Sequence, residues 1–113
     1  MTETDIQRLI QREVSKNPNV RLFRNQTGCY KLANGQHLHS GLLKGSGDLI
    51  GWKTIEITED MVGKSVAVFT SVEVKTVNGK LSPEQKHWMD KVNEAGGIGL
   101  VMRSANDTHE LTD

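Results

Sequence analysis

At 113 residues, 35% of them hydrophobic and 25% charged, with no net charge, the chain predicts one soluble globular domain spanning 1–113. No apolar run approaches the length of a membrane span, and neutrality argues against a protein that coats nucleic acid through bulk charge. One cysteine, Cys29, excludes an internal disulfide and any cysteine-based zinc site, which favours a reducing, cytoplasmic setting with no membrane partner. The opening M1-T-E-T-D is acidic and polar and does not read as a signal peptide.

Residues 4–16 predict a helix, because Ile6, Leu9, Ile10 and Val14 recur at helical spacing. Thr2 or Thr4 can cap its start, and Thr4 with Gln7 fits a capping box; N17-P-N ends it. Glu3 stands one turn before Ile6, and Glu13 falls near the middle of the apolar stripe. Either acid could turn inward toward a site. Equally, Glu3 could be a helix-start charge and Glu13 a stripe-edge salt bridge.

The charge distribution is uneven after this helix. Between Glu13 and Asp48 there is no acidic residue, while Lys16, Arg21, Arg24, Lys31 and Lys44 fall there with His37 and His39. Such a stretch can form a positive face for a phosphate backbone, or simply a solvated loop region. V20-R-L-F-R-N alternates as a strand, T27-G-C-Y-K-L reads as a turn with a short strand, and N34-G is a turn signal before Q36-H-L-H. His37 and His39 are spaced to share a strand face. Two imidazoles so placed could bind zinc, but no third ligand is nearby and no cysteine pair helps, so surface polarity or phosphate contact is the stronger reading.

G41-L-L-K-G-S-G-D is glycine-rich without the lysine ending of a phosphate-binding loop, and it precedes a strand. Its glycines suit a tight turn that delivers Asp48 to the start of a strand, D48-L-I-G-W-K-T-I-E-I-T, with a break at Gly51. T58-E-D-M-V-G-K is a connection. S65-V-A-V-F-T-S-V-E-V-K-T is β-branched and nearly continuous, as a central strand buried on both faces would be. At its end Val72 and Val74 are expected to face a core, while Glu73 and Lys75 point the other way as a carboxylate and an amine. Ser82 then caps a helix from Pro83 to about Ala95, with Gln85 completing a capping box and Trp88, Met89 and Val92 as its apolar face. G96-G stops it, I98-G-L-V-M-R is a last strand, and one helical turn follows Ser104. The order predicts a mixed α/β domain around one central sheet flanked by helices.

With these residues placed, the chain resembles the VRR-NUC domain, a branch of the PD-(D/E)xK nuclease superfamily with a restriction-endonuclease-like core. The resemblance rests on an ordered set: Glu3-x-x-Ile6-Gln7, Arg24-Asn25, G45-S-G-D-L-I-G, V72-E-V-K, L81-S-P-E-Q, and G96-G before the final strand. One departure is Gly47, where the family has proline before the aspartate. The resemblance implies Mg²⁺- or Mn²⁺-dependent hydrolysis of DNA phosphodiesters. Asp48, Glu73, the Val74 carbonyl and Glu3 would hold the metal. Lys75 would orient the attacking water, and Gln85 would support the site. Arg24, Asn25, Lys31 and Lys44 are the corresponding candidates for DNA contact. Stand-alone bacterial and phage members of this size resemble Holliday junction resolvases and act as homodimers. A nicking, flap or restriction-type nuclease and a non-catalytic DNA-binding module remain the alternatives.

Overall fold

In a computed structural model, residues 2–112 are described. The chain divides by its contacts into two compact units, residues 1–55 and 56–113. Strand pairing among the described residues produces three two-stranded sheets where one sheet was expected.

The first unit opens with helix α1, Glu3–Val14. Of the two possible caps, Thr2 is the one used. Its hydroxyl accepts from the Asp5 amide at 3.1 Å, and the Asp5 carboxylate accepts from the Thr2 amide at 3.0 Å. The Thr2 amide foremost, and the Thr2 hydroxyl beside it, hold the Asp5 carboxyl below its ordinary range, because hydrogen bonds to the carboxylate favour its ionised form. The helix packs on strand β1, Val20–Arg24. Thr4, Gln7, Gln11 and Val14 are half-buried, whereas Ile6, Leu9 and Ile10 are 44%, 50% and 42% exposed. Most of the apolar stripe therefore faces outward, a correction to the expected packing.

Strand β1 pairs antiparallel with β4, Leu49–Lys53, placing Leu22 opposite Gly51. Gly51 does not break that strand. A side chain there would meet the Arg21 carbonyl oxygen at 1.7 Å, so the missing Cβ is what lets the two backbones approach. Phe23 and Trp52 close over this pair with ring centroids 5.6 Å apart. Strands β2, Gly28–Lys31, and β3, His37–Ser40, form a separate hairpin. Its turn is the expected Asn34-Gly35: the Leu32 amide donates to the Gln36 carbonyl, and the Asn34 side chain accepts from the Gln36 amide at 3.0 Å.

The second unit is a β–α–β crossover. Strand β5, Thr70–Val74, runs parallel to β6, Ile98–Met102, and helix α2, Pro83–Glu94, connects them. The long strand expected from Ser65 shortens to the five residues Thr70–Val74; 65–69 belong to no strand. Met89, Val92 and Met102 are the buried apolar residues among those described, so the core of this unit lies between α2 and β6. The expected last helical turn appears as Ala105–Thr108 followed by α3, His109–Thr112.

Candidate active site

The faces of β5 are reversed from expectation. Val72 and Val74 are 38% and 76% exposed, whereas Ser71, Glu73 and Lys75 are half-buried on the side of α2. The cause is what α2 carries. The Trp88 indole donates to the Ser71 hydroxyl at 2.9 Å, and the Gln85 amide donates to Glu73 Oε1 at 2.9 Å. Alternation places both acceptors on one face, and a crossover helix covers whichever face it can bond. The Val74 side chain thus does not pack a core.

Glu73, Lys75 and Gln85 are brought together here. Lys75 Nζ lies 4.0 Å from Glu73 Oε1, with the lysine and glutamate side chains 22% and 33% exposed. Gln85 is held independently. Its Oε1 accepts from the Ser82 amide at 2.9 Å, while Ser82 Oγ accepts from the Gln85 amide at 3.1 Å. The helix start therefore aims the remaining amide hydrogens at the glutamate.

Arg103 was not singled out by the sequence. Its Nη1 donates to the carbonyls of Thr76, Val77 and Gly79 at 2.7, 3.3 and 2.6 Å. The Lys75 amide meanwhile donates to the Met102 carbonyl at 3.1 Å. The loop leaving Lys75 is thereby tied to the end of β6. A lone arginine after a strand carries no pattern that marks such a clasp.

In the first unit the structure assigns Asn25 a local task. Its Nδ2 donates to Ser46 Oγ and to the Gly47 carbonyl, both at 2.8 Å, and its Oδ1 accepts from the Leu42 amide at 3.0 Å. Its backbone amide donates to the Asp48 carbonyl at 2.8 Å. One side chain thus clasps both ends of the glycine-rich loop and sets the entry to β4 at Asp48. Gly41 adopts φ +73°, and a Cβ there would lie 2.7 Å from the Gln26 carbonyl and 2.9 Å from Asn25 Oδ1, so the clasp depends on glycine. Arg24, Lys31 and Lys44 are exposed on this unit. Glu3 is exposed in the first turn of α1, and Glu13 pairs with Lys16 at 2.9 Å, the salt-bridge alternative for that acid.

The family model for the VRR-NUC domain matches residues 1–106. The chain belongs to the VRR-NUC family. Membership implies a nuclease with DNA as its substrate, and nucleases of this family are generally dependent on a divalent metal. No curated protein matches the chain, and no solved structure does. Among the described residues no helix is long and apolar enough to cross a membrane.

For the metal, the donor set near β5 is of the right kind but sparse. Within either unit, among the described residues, no three His, Cys, Asp or Glu side chains are gathered to hold an ion. Mg²⁺ takes hard oxygen donors and keeps several waters, so a carboxylate and a carbonyl are a fitting partial set. Both polar contacts to Glu73 described above are made to Oε1.

Sequence reasoning also separated Cys29 from the histidines. The hairpin register sets Cys29 directly opposite His39 and Lys31 opposite His37. Cys29 Sγ lies 3.7 Å from His37 Nδ1 and 3.9 Å from His39 Nε2. The third potential ligand expected to be missing is thus a cross-strand neighbour. Counting back from the Asn34-Gly35 turn is the signal that could have found it.

Proposed function

We propose that this VRR-NUC domain is a Mg²⁺- or Mn²⁺-dependent, structure-selective DNA endonuclease with a PD-(D/E)xK core, resolving four-way junctions as a homodimer. The observation that carries the reading is the Glu73–Gln85 bond with Lys75 beside it, on the half-buried face of a strand in a chain of nuclease family. An exposed ion pair would need no helix-mounted amide to orient its carboxylate.

By the family resemblance, Asp48 and Glu73 would hold the metal through carboxylate oxygens, with the Val74 carbonyl and Glu3 as further donors. Bound there, the ion would supply charge neutralisation at the phosphate and a more acidic water. The chain's own groups do the rest. Gln85 keeps one Glu73 oxygen engaged and so fixes how the other is presented. The Lys75 ammonium orients the attacking water and meets the negative charge that grows on the phosphoryl oxygens as water adds at phosphorus and an ester oxygen leaves. Asn25 holds the loop that leads into Asp48. Exposed Arg24, Lys31 and Lys44 contact the DNA backbone. A domain this small has little surface to grip two duplexes, and paired cuts on opposing strands need two sites, which favours a dimer.

The test is cleavage of a synthetic four-way junction with Mg²⁺ or Mn²⁺ by the wild type and by Asp48→Ala, Glu73→Ala and Lys75→Ala. The wild type is expected to cut the junction and leave linear duplex largely intact. Each variant should lose activity by about a hundredfold or more. Equal nicking by all four proteins would sink the site assignment, and equal cutting of linear duplex would sink the junction preference.

A further inference from the structure

We propose that the β2–β3 hairpin carries a second cation site, distinct in chemistry from the proposed oxygen-ligand site. Cys29 Sγ and the ring nitrogens of His37 and His39 would bind a borderline-soft transition metal of the Zn²⁺ class. In tetrahedral zinc sites the metal–sulfur and metal–nitrogen bonds place sulfur and nitrogen about 3.6 Å apart. Sulfur already stands 3.7 Å and 3.9 Å from the two nitrogens. The match follows from the backbone: Cys29 and His39 are paired across the hairpin, and His37 lies two residues along the same strand face.

As they stand, the three side chains do not form a group that could hold an ion. Closing the site takes rotation of the two imidazoles about their side-chain bonds, which is inexpensive because Cys29, His37 and His39 are all exposed. Exposure also leaves a fourth position for water. A thiolate with two imidazoles prefers Zn²⁺ or Co²⁺ over Mg²⁺, since sulfur and nitrogen donors suit softer ions. Lys31 shares this face, opposite His37, and its charge opposes a bound cation. The site is therefore weaker than a structural zinc centre, and the hairpin, already held by its ladder and turn, folds without it.

Co²⁺ titration of the reduced full chain tests this, using the metal alone as probe. A thiolate-to-cobalt charge-transfer band in the near ultraviolet, with the visible bands of four-coordinate cobalt, should saturate at one ion per chain and be displaced by Zn²⁺. Cys29→Ser should abolish the charge-transfer band, and His37→Ala and His39→Ala should each weaken binding by about tenfold or more. Asp48→Ala and Glu73→Ala should leave the band unchanged, which separates this site from the nuclease metal. Cys29, His37, His39 and Asp48 are exposed and Glu73 is half-buried, and circular dichroism checks that each variant is folded. No band in the wild type overturns the proposal. So does a band that survives both histidine changes, which would mark a simple thiol adduct, or saturation at one ion per two chains, which would mark a site shared between molecules.

Discussion

Gln85 makes two commitments with one amide, returning a bond to its own helix cap and donating another to Glu73. The two can be separated by substitution. Gln85→Ala removes both and should cost about 1 kcal/mol of stability, read as a lower urea midpoint at unchanged slope. Gln85→Glu keeps the capping box, since glutamate serves there equally, but sets a second carboxylate against Glu73. The repulsion moves the Glu73 carboxylate from the position that the Gln85 amide holds. Cleavage should then fall by about tenfold or more, with little loss of stability. Unchanged cleavage would show that Gln85 does not act on Glu73. Asn25 offers the same lesson at a loop: an exposed-looking polar residue beside a basic segment is engaged on three sides by its own chain.

At the scale of elements, the β5–α2–β6 crossover concentrates its apolar contact on α2 and β6. Met89, 7% exposed, should cost about 2–5 kcal/mol on substitution by alanine, because a cavity is left among fixed neighbours. Val74→Ala, at 76% exposure, should stay within about 0.5 kcal/mol. Thermal or denaturant unfolding of the two variants distinguishes this arrangement from the expected one, in which Val74 would be the costly position. Much of this unit was legible beforehand. Ser82, Pro83 and Gln85 mark the helix start, Gly96-Gly97 its end, and the apolar run its last strand, because caps and breakers act within a few residues. The covered face of β5 was not legible, since alternation defines two faces without saying which one a partner takes. The sequence showed more apolar bulk on the valine face; two side-chain hydrogen bonds from α2 favoured the other.

At the scale of the whole molecule, the functional reading makes two demands beyond one chain. Removal of divalent ions by a chelator should abolish junction cleavage, and added Mg²⁺ or Mn²⁺ should restore it. Sedimentation analysis should give about twice the mass of the 12.5 kDa chain, and a monomer that cuts only one strand of the junction would overturn the dimer. What the sequence determined by itself is what depends on local chemistry and on order along the chain. That covers the α1 and α2 helices, the Asn34-Gly35 turn, the strand that carries Glu73, and membership of the VRR-NUC family. What only the tertiary structure decided is what depends on which residues meet across gaps in sequence. Gln85 reaches Glu73, Arg103 clasps the loop after Lys75, Asn25 holds the entry to Asp48, and Cys29 comes to lie beside His37 and His39. Such meetings are set by register and by helix placement, and neither is written in the spacing of any one segment.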